Sequence, residues 1–277
     1  MASTVTRAAL FTHGNPAQIG SAISRIQSVA RNSGVELLID ADEAEKHGVA
    51  AAGNDVENAD IAVVLGGDGT MLRALTRFLG TGVPVIGVNF GRVGFLSSVP
   101  RDDLESGLTR VFAGAYEAFE LATLELEAGG ERRVAVNDVV VATGILGRMV
   151  ELEWAVGGEA LGRVPCDGVI CATPSGSTAY NLSNGGPVLM WGIDAMAITF
   201  VAPHALHARP LVVPRGSDLV VVNRTADVPA AVLADGHRVV DAPPGDQVVV
   251  RLGPDRSLLA TLPEASFVRR YRTSFAA

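Results

Sequence analysis

The chain reads as an α/β plus all-β protein: an N-terminal open α/β domain followed by a second, mostly antiparallel β domain. Three observations predict this. The continuous apolar run Ile61-Ala62-Val63-Val64-Leu65 has the character of a parallel strand covered on both faces, and it opens into a glycine-rich turn. Strand and helix patterns alternate through the first hundred or so residues. Beyond about residue 115 the apolar runs become short and β-branched, punctuated by Gly, Pro and Asp, and helical periodicity nearly disappears.

Each element follows from its pattern. Ala8 to Phe11 forms a first strand, and Ile19, Ile23, Ile26 and Ala30 recur at helical spacing. Val35 to Ile39 returns to strand character. After the 61–65 run, Met71, Leu72, Leu75, Phe78 and Leu79 mark one face of a helix. Val83 to Val88 is the next strand and ends at Asn89-Phe90-Gly91. In the second part, strands are expected at 121–126, 134–141, 150–156, 169–172, 197–202, 219–222, 248–252 and 258–262. Gly129-Gly130, Gly157-Gly158 and Pro243-Pro244-Gly245 separate some of them. The segment 267–277 is basic and aromatic and is expected to pack back on the first domain. The predicted boundaries are therefore 1–115, completed by 265–277, and 116–264.

Composition narrows the function. With 277 residues, 48% of them hydrophobic, the chain has ample length to bury a core. No apolar run reaches the roughly 18 residues of a membrane span, and Met1 to Arg7 lacks the apolar stretch of a secretory signal. Cys166 and Cys171 supply no disulfide framework. Five apart, they would face opposite ways on an extended strand and form no metal pair. A cytoplasmic enzyme is expected. The net charge of −8 disfavours nucleic acid as a partner. Lys46 is the only lysine, and no GxxxxGK[ST] motif is present. A polyanionic substrate must then be held by arginine, backbone amides or a divalent cation.

Gly66-Gly67-Asp68-Gly69-Thr70 lies where a buried strand meets an amphipathic helix. Ligands of open α/β sheets bind beyond the carboxyl ends of the strands. Gly66, Gly67 and Gly69 permit backbone angles and close approach that a Cβ would forbid. The helix start, from Thr70, offers amides and a positive dipole end to phosphate. A carboxylate in such a cradle would repel a bare anion, so Asp68 points to chemistry. It can cap the helix, bind Mg²⁺ beside phosphates, or accept a proton from a substrate hydroxyl. No dedicated all-protein metal cage is evident, so a divalent cation, Mg²⁺, would arrive with a nucleotide.

The run Thr173 to Tyr180 follows the strand 169–172 and contains Ser175, Ser177 and Thr178, with Asn181 and Ser183 extending its polar edge. These hydroxyls can cap a short helix or hydrogen-bond ribose. Tyr180 adds a flat face, and Gly185-Gly186-Pro187 stops the helix. So many uncharged donors and acceptors in one stretch exceed what capping alone requires.

With these segments together, the chain resembles the NAD kinase family and, more distantly, the diacylglycerol and sphingosine kinases that share the GGDGT turn. The resemblance also rests on Leu72-Arg73-Ala74, Gly87 to Leu96, Asn137-Asp138, Pro203-His204-Ala205-Leu206 and Arg209 to Pro214, in family order across roughly residues 60 to 240. It implies phosphorylation of the adenosine ribose 2′-hydroxyl of NAD⁺ to give NADP⁺, with ATP or polyphosphate as donor. Asp68 matches the proton acceptor. The resemblance implies that Asp68, Gly69, Asn137, Asp138, Thr178, Ala179, Tyr180, Asn181, Leu182 and Ser183 contact the dinucleotide within a 116–264 NAD-binding domain. Arg73, Arg148, Asp167 and His237 match further ligand-contacting positions. His204 and His207 read as structural. A homo-oligomer with subunit contacts near the dinucleotide is also implied. Two departures stand out: Asp138 replaces the usual glutamate, and Pro165 stands where a basic residue often lies. A lipid kinase sharing the turn, and an NAD-binding regulator without turnover, are the rival readings.

Overall fold

A computed structural model describes residues 4–53, 55–91, 94–205 and 207–275. In chain order its elements are β1 (Arg7–Thr12), α1 (Pro16–Ile19), α2 (Ala22–Asn32), β2 (Glu36–Leu38), α3 (Ala41–His47), β3 (Ile61–Gly66), α4 (Asp68–Arg77), β4 (Val85–Asn89), β5 (Val99–Pro100) and α5 (Leu104–Phe112). There follow β6 (Glu117–Ala128), β7 (Glu131–Ala135), β8 (Asp138–Thr143), β9 (Val150–Val156), β10 (Glu159–Cys166), β11 (Gly168–Ala172) and α6 (Tyr180–Ser183). The chain closes with β12 (Ala195–Val201), β13 (Leu211–Pro214), β14 (Leu219–Asn223), β15 (Ala230–Ala234), β16 (His237–Ala242), β17 (Gln247–Thr261) and α7 (Phe267–Phe275). Arg92, Val93 and Leu206, which belong to two of the motifs above, lie outside the described residues.

The chain divides into two compact units. One joins the residues up to Glu120 with those from Ser257 onward; the other is Leu121–Arg256. Both divisions fall inside long strands, β6 and β17, whereas composition alone put the changes at 115/116 and 264/265.

The first unit is a parallel sheet in the order β2-β1-β3-β4, with β5 and Leu259 of β17 beside β4. β3 is buried along its whole length, as its unbroken apolar run requires. Its core gathers Leu10, Ile26, Ile61, Leu65, Ile86, Leu108 and Phe112. The helix expected over 19–30 is two helices, because Gly20 at φ 55° ends α1 in a conformation disfavoured for other residues. α7 belongs to this unit: its Arg270 side chain donates to the carbonyls of Phe95 and Ser97.

The second unit packs two antiparallel layers. One runs β13-β12-β11-β8-β15-β16; the other contains β10-β9-β14-β17, with β6 on β17 and β7 on β6. Leu124, Val139, Val169, Ile198, Val221, Val232 and Val250 meet between them. The single strand expected at 134–141 is broken at Val136-Asn137, where the chain leaves β7 and enters β8. Conversely, the 248–252 and 258–262 runs belong to one continuous region, with β17 extending to Thr261. The expectation that Cys166 and Cys171 face opposite ways is overturned. The chain turns at Asp167 between β10 and β11, so both thiols enter the same core. Burial raises both, Cys166 to about 12.

Candidate functional site

The first cluster forms where β3 ends. Gly67 is the N-cap of α4 and Asp68 is its first residue. Asp68 does not cap the helix. Its Oδ2 accepts from the Phe95 amide at 2.8 Å and its Oδ1 from the Leu96 amide at 3.1 Å. Burial raises its pKa, opposed by those two amide bonds and by the charge of Arg270. None of Gly66, Gly67 and Gly69 has a positive φ, so backbone angle does not call for glycine here, and close approach does so only at Gly66. A Cβ on Gly66 would strike the Thr70 side chain, and a Cβ on Gly91 would lie 3.3 Å from the Gly67 α-carbon. Space around Gly69 is open.

A hollow of about 400 Å³ lies over this turn, bordered by Gly67, Gly69, Thr70 and Gly91 and by the side chains of His13 and Arg73, among others. Gly66 stands behind it, inside the sheet. Arg73 donates to the Thr12 carbonyl at 3.2 Å and lies over the Phe11 ring, 5.5 Å from its centroid. Beneath, buried Glu43 accepts from the Thr12 amide at 3.2 Å and from Lys46 Nζ at 2.7 Å, which anchors the end of β1. The dipole end of α4, a glycine surface without side chains and one guanidinium make a place for phosphate.

The second cluster belongs to the other unit. Asp235 occupies the hairpin turn between β15 and β16 with φ 49°, followed by Gly236 at φ 78°. Its carboxylate accepts from the amides of Val136 (2.8 Å), Asn137 (2.7 Å) and Asp138 (3.2 Å). This holds the Asn137-Asp138 step at the start of β8. Asn137 Oδ1 accepts from Ser175 at 3.3 Å. A Cβ on Gly176 would overlap the Asn137 backbone, so the hydroxyl run presses directly on that step. Asp138 is 7% exposed, and its pKa rises to about 7, first by burial and then by the negative charge of Asp235. Burial raises Asp235 as well, against the pull of its three amide bonds and of His237.

The hydroxyl run is largely occupied with its own backbone. Thr173 Oγ1 donates to the Val136 carbonyl at 2.7 Å and accepts from the Gly176 amide at 3.0 Å. Ser177 Oγ donates to the Pro174 carbonyl at 2.7 Å and accepts from the Leu189 amide at 2.9 Å. Asn181 is fully buried, bonding the carbonyls of Ser177 and Pro187 and accepting from Thr199. The abundance of donors thus serves to fold an irregular loop more than sequence reasoning allowed. Thr178, Ala179 and Leu182 are half-buried, while Tyr180 and Ser183 are exposed. His237 is exposed beside the Asp235 turn.

Arg148 and Asp167 sit apart from Asn137 and Asp138. In the register of β8 and β11, Asp138 pairs with Ala172 and Ala142 with Gly168, four residues away. That is about 13 Å along the strands. Arg148 is exposed and makes an ion pair with Asp227 at 2.8 Å. His204 and His207 are exposed.

Sequence reasoning missed Asp235, His13 and the amides of Phe95 and Leu96. An Asp-Gly pair between two strands signals a hairpin turn, but not that its carboxylate turns back onto β8.

Comparison with known proteins agrees with this picture. Residues 21–116 match the ATP-NAD kinase N-terminal domain and residues 136–262 the ATP-NAD kinase C-terminal domain. NAD kinase 2 of Streptomyces avermitilis is 37% identical, covering 96% of this chain and 93% of the relative. NAD kinase of Aromatoleum aromaticum is 38% identical over 86% of this chain and 83% of its own length. The crystal structure of an NAD kinase from Archaeoglobus fulgidus in complex with ATP superposes with a TM-score of 0.75 at 26% identity, covering 98% of each chain. Yeast NADH kinase complexed with NADH shares the fold with a TM-score of 0.87 at 24% identity, over 99% of this chain and 88% of that one. Both parts of one family's architecture follow in order along this sequence, beside relatives matched nearly end to end, and the chain belongs to the NAD kinase family.

Proposed function

We propose that this chain transfers the terminal phosphoryl group of ATP to the 2′-hydroxyl of the adenosine ribose of NAD⁺, giving NADP⁺. The observation that carries the reading is Asp68, an oriented and partly desolvated carboxylate in the turn whose Gly67 and Gly69 line a phosphate-suited hollow, within a chain of this family. Asp68 accepts the hydroxyl proton as the ribose oxygen attacks in line. Positioning and charge neutralisation supply most of the rate. Gly67, Gly69, Thr70 and Arg73 face the donor phosphates; Gly66 supports them by letting α4 pack close to β3. In the second unit, Asn137, Asp138, Thr178 to Ser183 and His237 form the dinucleotide-facing set. Asn181 acts there through the loop it holds.

The metal enters as part of the substrate. The hollow is lined by amides, His13, Gln18, Thr70 and Arg73 rather than carboxylates, and no group of three His, Cys, Asp or Glu suited to a metal occurs among the described residues. That donor set suits a nucleotide that arrives with its own Mg²⁺. Amides and a guanidinium recognise phosphate, not base, which supports inorganic polyphosphate as an additional donor.

The proposal includes a homo-oligomer. Arg148 and Asp167 lie at the far end of their sheet, and Ile145, Leu146 and Met149 beside Arg148 are exposed, Leu146 fully so at 102%. This supports a contact with a second copy on that edge. A cytoplasmic location is likewise proposed; no helix among the described residues is long and apolar enough to cross a membrane.

The test is direct. Purified protein with NAD⁺, Mg²⁺ and ATP, or polyphosphate, should form NADP⁺; binding of NAD⁺ without product would overturn the reading. The family match favours neither the lipid kinase nor the regulator.

A further inference from the structure

The carboxylate of Asp68 is held from outside its own helix. Its two partners, the amides of Phe95 and Leu96, belong to a segment that is neither helix nor strand. Something else must fix that segment. On its other side, Arg270 Nη1 donates to the carbonyls of Phe95 at 2.7 Å and Ser97 at 2.6 Å, while Arg270 Nε donates to the Ala265 carbonyl at 2.8 Å. Arg270 is 8% exposed on α7. The Phe95 ring packs edge-on against Phe267 and stacks on Phe275, with centroids 5.1 and 5.8 Å apart, so α7 grips the same residue twice.

One peptide unit joins the two charges. The Phe95 carbonyl and the Leu96 amide belong to the same plane, and in a trans peptide they point in opposite directions. The carbonyl end meets the guanidinium and the amide end meets the carboxylate. Rotating that plane would take the acceptor away from Arg270 and the donor away from Asp68, and turn a carbonyl oxygen toward the carboxylate. A cation on one side and an anion on the other hold it in a single orientation, and each hydrogen bond polarises the next.

We propose that Arg270 is a positioning residue for phosphoryl transfer, acting through the Phe95–Leu96 peptide to fix the carboxylate of Asp68. The assignment rests on the reading of Asp68 as proton acceptor. Electrostatics agree with it. Burial pulls the Arg270 pKa down to about 10, with Asp68 acting to raise it, so the side chain stays cationic at neutral pH. Reciprocally, Arg270 opposes the rise that burial imposes on Asp68.

The test is a double-mutant cycle on NADP⁺ formation from NAD⁺ and MgATP, with thermal unfolding of each protein as a check on folding. Arg270→Met should lower kcat by about 10- to 100-fold, the scale of a misplaced catalytic group, with KM for NAD⁺ nearly unchanged. In an Asp68→Asn background, with product accumulated over hours, the same substitution should cost kcat little more. An undiminished kcat in folded Arg270→Met would overturn the proposal, as would an equal fold-loss in both backgrounds. The cycle is repeated with Arg270→Lys, which keeps the charge and a donor, so the question survives a poorly folding methionine variant. A smaller loss, again confined to the Asp68 background, supports the proposal; an equal loss in both backgrounds defeats it. Should the unaltered protein form no NADP⁺, the functional reading fails first, independently of Arg270.

Discussion

Asp68 and Asp138 are both aspartates raised by burial, yet their surroundings assign them different behaviour. At Asp68 two amides and a guanidinium favour the ionised form, so the group remains usable as a base above the ordinary carboxylate range. Replacing it with Asn should lower kcat by about 10²- to 10⁴-fold in an NADP⁺ assay, the usual span for a general base. The acid limb of kcat/KM in the unaltered enzyme should lie above about pH 4 and should vanish or move in the variant. Asp138 faces another carboxylate instead. Because its folded pKa of about 7 exceeds the unfolded value, the folded state binds more protons between about pH 4 and 7, so this group's contribution to stability falls as pH rises through that window. Asp138→Asn should therefore gain in melting temperature relative to the unaltered protein as pH increases from 4 to 7. A difference that stays flat with pH would contradict this. Asp68 was legible in the sequence because glycine surrounds it between a buried strand and a helix. Asp235 was not, since its partners lie a hundred residues earlier in the chain.

Elements were read best where hydrophobic periodicity was clean. β3 and α4 occur where their apolar patterns put them, but α3 is charged along most of its length. Only its Asp40 cap and left-handed Gly48 mark it in the sequence. The junction of β7 and β8 hid inside one β-branched run because the break at Asn137 is imposed from outside, by Asp235 and Gly176. The hydroxyl loop was located correctly, yet the fate of its side chains required coordinates: Thr173, Ser177 and Asn181 replace missing ladder bonds. Gly176→Ala tests this coupling. The new methyl would meet unyielding backbone at Asn137, and about 1–3 kcal/mol of stability should be lost, read as a lower urea midpoint. NAD⁺ affinity should weaken together with it.

At the scale of the whole molecule, the proposed oligomer predicts a specific weakness. Leu146 is fully exposed beside Arg148, so Leu146→Asp should cost the single chain little but introduce charge into an apolar contact between copies. Sedimentation velocity should show a smaller species for the variant; an unchanged profile would place the contact elsewhere. The two-part architecture was legible from the shift in periodicity near residue 115, whereas the return of the chain into the first unit was marked only by a basic, aromatic segment. That return has a consequence for biosynthesis. Ala260 and Leu262 complete the first unit's core, and Arg270 braces the Asp68 turn, yet all three are made after every residue of the second unit. A nascent chain leaving the ribosome therefore carries its glycine turn long before α7 has been made to brace it.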